Sequence, residues 1–326
     1  STVRMILSSS PEEPAAYKAA SVAHQLIPKH CDMDKIWAIV EEACQIRDVL
    51  SDKKLVKLIT GIKNLPSAPA LYVQLLKLFE SEPPTLNKVG EVISMDVSMT
   101  AKILQLVNSA FFSIPHKVSN LKQALAILGL NTIKALVLSV GVFSEYQSRS
   151  YSAFSIDELW NHSIYVGNLS RAIANSTGLN SNEQDEAQIA GILHDVGKLI
   201  QSDLPGFFRL LSMNTKVPPL QMEYHYLGTS HAEIGAYMLS LWGLPSNVVQ
   251  AVAYHHLPTK QPTKKVSPTT AVYIANGLAT LEKPGMMKIQ VESIFDMQYL
   301  QSHKLDVKLD DWRLMARRIY AGERPD

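Results

Sequence analysis

The sequence predicts a mainly helical protein with a small α/β piece at its N-terminus. From Pro66 onward, apolar residues recur at helical spacing and no alternating strand pattern interrupts them. The first thirty residues differ, holding two short β-favouring runs, VRMIL (3–7) and VAHQLI (22–27). Helix-start signals then recur along the rest of the chain, and histidines gather near the ends of the helices they imply.

In order, VRMIL and VAHQLI flank a helix-like PEEPAAYKAAS segment. A β-α-β unit is expected, with parallel strands at 3–7 and 23–27 and a right-handed crossover. Its open apolar edge should be covered by a second copy of the chain or by the helical body. A helix follows from about Asp34, where Ile36, Ile39, Val40, Ala43 and Ile46 keep helical spacing. It runs on, alone or with a second helix in line, through DVLSDKKLVKLITGI towards Leu65. An interdomain connector and an amphipathic surface helix fit that stretch equally. Residues 69–82 make one amphipathic helix, ended by Pro83–Pro84. Thr85 caps a helix through Ile93, and VSMTAKILQLVNS (97–109) forms another.

AILGLNTIKALVLSVGVF (126–143) is the one stretch apolar enough to suggest a membrane span. Asn131, Thr132 and Lys134 interrupt its middle, and Gly129 reads as the end of one helix before the next, so two buried helices are expected. Capping boxes stand at Ser181…Gln184 and Ser230…Glu233. Ser267–Pro268 opens a helix through Leu278. Residues 257–266 and 283–288 read as loops, and 306–321 as a last helix with Trp312, Met315 and Ile319 turned inward.

These 326 residues, 46% hydrophobic and 19% charged, can bury a sizeable core. Lysines and arginines (31) balance aspartates and glutamates (30), so no global charge steers the chain to nucleic acid or an anionic membrane. LPTKQPTKK, the densest basic stretch, reads as a solvated surface. Cys31 and Cys44 form neither a disulfide framework nor a zinc-type pair, which fits a reducing cytoplasm. The opening STVRMILSSSPEEP lacks a signal-peptide pattern.

His162, His194, His231, His255 and His256 each fall near a predicted helix end; His225 is less usefully placed. Imidazole and carboxylate together suit ions of the Mn, Fe or Zn class, and a helical bundle can present such ligands from several helices. His194 and Asp195 are adjacent, roughly 100° apart around a helix, so both reach one ion only if it lies between them. Gly197 would allow a bend there, and Lys198 could face a substrate phosphate. Taken singly, each histidine is better read as a hydrogen-bonded core residue; five in this order point to metal.

LWNHSIYVG, GILHDVGK, SHAEIGAYMLSLWGLP and AYHH together resemble the HD superfamily, and specifically its HD-GYP phosphodiesterase branch. LPSAPALYVQLLKL (65–78), VISMDVSMTAKILQLVNSAFFSIP (92–115) and ALAILGLNTIKALVL (124–138) narrow the resemblance to the HDOD domain, the HD-related output domain of bacterial signalling proteins. It covers roughly residues 60–270 and implies an HD-type helical bundle. In that resemblance Glu158, His162, His194, Asp195, His231, His255 and His256 match metal-ligand positions, and Asn276 takes the place of a final aspartate. Most HDOD domains have lost these ligands. The GYP segment is missing, since LPTKQPTKK follows His256, which argues against cyclic di-GMP hydrolysis.

VRMILSS, AHQLIPK and CDMDKIWAIVEEACQIRDVL resemble the second half of a response-regulator receiver domain of two-component systems. Ser8 falls at the switch hydroxyl and Lys29 at the phosphate-contacting lysine, while His30 and Leu26 depart from the pattern. The half carrying the phospho-accepting aspartate has no counterpart in this sequence. The expected organisation is a receiver-like segment at 1–50, a connector at 51–64, an N-terminal HDOD subdomain at 65–150, an HD-like subdomain at 151–282 and an extension at 283–326.

Two functions follow. One is a cytoplasmic signalling output module that acts through protein partners, forms a homodimer through its N-terminal segment and binds one or two divalent ions in a degenerate site. The other is a metal-dependent phosphohydrolase in which Asp195 and Lys198 are catalytic. The first is preferred, because Asn276 and the missing GYP segment weaken the second. No membrane association is expected, and nucleic-acid binding has little support.

Overall fold

The structure is a computed structural model. It describes residues 5–8, 25–28, part of 32–40, 70–81, 85–95, single positions between 99 and 118, 121–147, 155–202, 204, 206–213, 217–241, 244–282 and 290–321. Strand β1 (Met5–Ser8) pairs in parallel with β2 (Gln25–Pro28), with Met5 opposite Gln25 and Ser8 opposite Pro28. The two strands are those expected, displaced slightly towards the C-terminus. Their crossover, the connector towards Leu65, Lys29, His30 and the 283–288 loop lie outside the described residues.

Every other element among the described residues is a helix. Helix α1 (Ala70–Ser81) stops two residues before Pro83. Helix α2 (Leu86–Ser94) starts as expected, with Thr85 Oγ1 accepting the Lys88 amide, and it buries Val89 and Ile93, one turn apart. The apolar run at α3 (Leu121–Gln147) is two helices, broken at Gly129, whose φ of 75° and ψ of 164° suit glycine and cost other residues strain. By length and composition Leu121–Val142 could cross a membrane, yet over half of that window is buried inside the protein. The polar residues that interrupt it have partners: Thr132 donates to Gln188 Oε1 at 3.0 Å, and Asn131 to Asp185 at 3.0 Å. They dock α3 onto the histidine-bearing half.

That half begins with α4 (Ile156–Ser176), capped by Ser155, and α5 (Ser181–Leu193). The capping box of α5 sits one residue earlier than expected. Asn180, in extended conformation, accepts from the Glu183 amide while Glu183 accepts from the Asn180 amide. Ser181 is already helical, and Gln184 instead donates to the Leu179 carbonyl at 2.7 Å. Helices α4 and α5 touch backbone to backbone: a Cβ on Gly191 would lie 2.7 Å from Gly167 Cα. Short helices α6 (Gly197–Ser202), α7 (Phe207–Met213) and α8 (Pro219–Leu227) lead to α9 (His231–Leu241). The Ser230–Glu233 box is present in reciprocal form at the start of α9. Helix α10 (Ser246–Tyr254) follows, then a 3₁₀ turn at Pro258–Lys260 inside the expected loop. Helix α11 (Pro268–Leu281) opens on the Ser267 cap with proline at its first position.

The chain closes with α12 (Met297–Ser302), which periodicity did not reveal, and α13 (Leu309–Tyr320). Trp312 and Ile319 are buried and Met315 packs partly against the core. Burying a side chain such as Ile319 contributes about 1.5–3 kcal/mol. Trp312 Nε1 donates to Ser176 Oγ at 2.8 Å and Tyr165 Oη to the Ala316 carbonyl at 2.9 Å, which ties α13 to α4. One apolar cluster joins α1 to α13.

Candidate metal centre

Helix ends converge on one carboxylate. His194 ends α5, and Asp195 follows in a tight turn, where i→i+3 bonds such as Val196 N–H to Leu193 O (3.0 Å) and Lys198 N–H to Asp195 O (2.9 Å) replace helical ones. His162 comes from α4, His231 is the first residue of α9, His255 caps the end of α10, and His256 follows it. Asp195, 1% exposed, lies between two groups. Its Oδ1 faces His231 Nε2 at 3.1 Å and His255 Nε2 at 3.9 Å. Its Oδ2 faces His194 Nε2 at 3.4 Å, His162 Nε2 at 3.8 Å and Lys198 Nζ at 2.6 Å. His256 Nε2 stands 3.0 Å from His231 Nε2. Two potential ligand sets share Asp195: one with His231, His255 and His256, the other with His162 and His194. Within each set the ligand atoms lie within 4.8 Å of one another.

Gly197 makes this convergence possible by being small. Its φ is not positive; a Cβ there would lie 2.0 Å from the His231 carbonyl oxygen and 2.8 Å from the Gly235 amide nitrogen. The chain turns just before Gly197, as expected, and the residue's lack of a side chain also lets α6 press against α9, which brings His231 to Asp195.

Proton bookkeeping shows what the cluster lacks. His194 Nδ1 lies 2.8 Å from the Gly191 carbonyl, and His255 Nδ1 lies 2.7 Å from the Val252 carbonyl. A carbonyl only accepts, so both Nδ1 atoms carry the hydrogen and, in a neutral ring, both Nε2 atoms present bare lone pairs. Those two Nε2 atoms and Asp195 Oδ1 are buried with no hydrogen-bond partner. Each such atom ordinarily costs about 1–3 kcal/mol. Electron-rich atoms left bare in both ligand sets and on the carboxylate between them fit a cation.

Glu223 on α8, which motif reading passed over, supplies the supporting layer. Its carboxylate accepts the His231 backbone amide at 2.7 Å and the Nδ1–H of the same residue at 2.7–2.8 Å. The imidazole is thereby turned so that Nε2 points at Asp195, an arrangement that orients metal-binding histidines and strengthens their basicity. The signal lay in a glutamate eight residues before His231 within QMEYHY, and asking what holds Nδ1 would have found it.

Electrostatics keep most of the ligands ready for a cation. Burial pulls the Asp195 carboxyl up, but its surroundings, with His194, the Lys198 ammonium and His231 against it, hold it well below the usual carboxylate range. Burial and the neighbouring histidines hold His255 and His256 well below ordinary imidazole values, and burial with His194 pushes His162 down to about 3. His231 goes the other way: burial lowers it, but the Glu223 carboxylate outweighs burial and raises it. Glu223 itself is lowered, because the charge of His231 overcomes its burial.

Asn276 of α11 places Oδ1 3.1 Å from His162 Nε2, at the edge of the second set. Glu158 is exposed on the first turn of α4 and, among the described residues, belongs to neither set. His225 packs against Tyr226 with ring centroids 4.9 Å apart and is likewise outside both sets.

Comparison with known proteins agrees with this architecture. The HDOD domain family model matches residues 65–258. An uncharacterised protein of Treponema pallidum is 28% identical over 199 residues, which are 60% of this chain and 38% of the relative. A ribonuclease Y of Fervidobacterium nodosum is 27% identical over 132 residues, 40% of this chain and 20% of that enzyme. The chain thus spans well under half the length of either relative. Among solved structures, an HDOD domain protein from Geobacter sulfurreducens aligns with a TM-score of 0.61 at 20% identity, covering 83% of this chain and 97% of its own. A Marinobacter aquaeolei protein, provisionally named a signal transduction protein, aligns at 0.63 and 18% identity, covering 86% of this chain and 64% of its own. At these identities the likeness concerns the fold.

Proposed function

The chain belongs to the HDOD domain family, and from that premise we propose that it is a signalling output module that holds a divalent ion in a degenerate HD-type centre and acts through protein contacts. The observation that carries the metal half is that His194 Nε2, His255 Nε2 and Asp195 Oδ1, one atom from each ligand set and one from the carboxylate they share, are buried with no hydrogen-bond partner. Asn276, neutral where the resemblance implies an aspartate, supports the degenerate character. The signalling half is supported by the Marinobacter protein of the same fold. The parallel β1–β2 pair supports a receiver-like N-terminal segment, and it has no third strand among the described residues. A second copy of the chain is the proposed cover for that edge, in a cytoplasmic protein.

In this reading an ion of the Mn, Fe or Zn class joins the end of α5, the start of α9 and the end of α10 through Asp195 and the histidines beside it, and its binding is what partners would sense. Glu223 orients His231, and the Gly191 and Val252 carbonyls orient His194 and His255. A second reading, metal-dependent phosphohydrolase, is favoured by one feature. Lys198 is a part-exposed cation that touches both Asp195 and solvent, where it could hold a phosphate oxygen. A bound metal would there supply Lewis acidity and activate water.

Metal analysis of the purified chain, followed by assays on a phosphodiester panel, tests both. Bound ion without turnover supports the module. Turnover that disappears in Asp195→Ala supports the hydrolase. Absence of metal after incubation with Mn²⁺, Fe²⁺ and Zn²⁺ overturns the hydrolase and the metal half of the module, and leaves a module that acts through protein contacts alone.

A further inference from the structure

The two ligand sets are not equivalent. The set containing His231, His255 and His256 has Oδ1 of Asp195 to itself, and Glu223 stands behind His231, so two buried carboxylates serve it. The set containing His162 and His194 adds only neutral groups, namely two imidazoles and the Asn276 amide oxygen. Its one anion would be Oδ2 of Asp195, and Lys198 Nζ already sits 2.6 Å from that atom. The lysine lies three residues after Asp195 within the same turn, with its side chain part-exposed.

We infer that Lys198 is a resident cation standing in for a second metal ion, so that the centre binds a single divalent ion, on the His231, His255 and His256 side. Resting on the reading of the cluster as a metal centre, this assigns its stoichiometry and gives Lys198 a role that does not require a substrate. The physical basis is charge. A single carboxylate oxygen neutralised by an ammonium at hydrogen-bond distance has little attraction left for a divalent ion, and the ammonium repels that ion.

The test is ion stoichiometry. The full chain is stripped with chelator, dialysed against Mn²⁺, and analysed for metal content and by electron paramagnetic resonance. The wild type should hold one ion per chain with the signal of an isolated Mn²⁺. Lys198→Met keeps the aliphatic stem and removes the charge, so it should hold two, with the spectrum of a coupled pair expected at about 3.5–4 Å separation. Lys198→Arg, which keeps a cation, should remain at one. Should the methionine variant fail to fold, Lys198→Gln provides the neutral comparison. Two ions in the wild type, or one in both neutral variants, would overturn the inference while leaving the metal centre intact. No ion in any form would remove the metal reading and this inference with it.

Discussion

Replacing Glu223 with glutamine probes the support of the centre without touching a ligand atom. In the wild type one carboxylate accepts both the backbone N–H and the Nδ1–H of His231, at 2.7 Å and 2.7–2.8 Å. Oε2 by itself is within hydrogen-bond distance of both donors, so a glutamine oxygen in its place keeps both bonds, while the amide N–H group, in the place of Oε1, opposes the Nδ1–H. Exchanging a charge-assisted bond for a neutral one costs about 1 kcal/mol for each of the two. The metal-free protein should therefore lose roughly 2 kcal/mol of stability, read from denaturant midpoints at unchanged slope. Metal affinity should fall about 10–100-fold, the range found when such supporting partners are removed. Competition with a chromophoric chelator measures it. The affinity should also change its pH dependence: a proton on His231, favoured by Glu223, has to leave before the ion binds, so affinity falls as pH drops below the raised value of His231. Glutamine lowers that value and moves the break to lower pH. A folded Glu223→Gln protein that binds metal within twofold of wild type, with the same pH break, would refute the assignment.

Three further outcomes are expected. Asp195→Ala should abolish metal binding, because both ligand sets share that carboxylate, and metal content of the dialysed variant checks it. Gly197→Ala should lose at least about 2 kcal/mol, since its Cβ would sit 2.0 Å from a backbone carbonyl that can yield only if α6 and α9 separate. Metal affinity should fall with it, as His231 draws away from Asp195. Glu282 is held below the usual carboxylate range against its burial by hydrogen bonds from Arg317 and Arg313, at 2.5 and 2.6 Å. Its contribution is thus complete above the unfolded carboxyl value of about 4.3 and disappears as pH falls through the lower folded one. Glu282→Gln should flatten the acid limb of a stability–pH curve, and an unchanged limb would count against that pairing.

The helical class of the body and most helix starts were legible in the chain because they are local. Thr85, Ser230 with Glu233, and Ser267–Pro268 act within one turn of themselves, and apolar spacing marks which face of a helix turns inward. Gly129 could be read as a break for the same reason: its backbone conformation is its own. The histidines and Asp195 were legible as ligand types, since imidazole and carboxylate carry their chemistry wherever they sit. What the sequence could not determine is what depends on how helices cross. Glu158 matches a ligand position in the family resemblance, but the rotation of α4 leaves it exposed. Glu223 looks like any glutamate until α8 and α9 meet, and nothing local to Gly197 shows the carbonyl of α9 that presses on it. The short α12 is too brief to show periodicity; its Asp296 cap is local, but the burial of Tyr299 and Leu300 depends on its neighbours. Local sequence fixes a helix's capping and its apolar face; the rotation and depth at which two helices pack are decided by the fit of all their side chains together, and the order of groups around Asp195 was decided there.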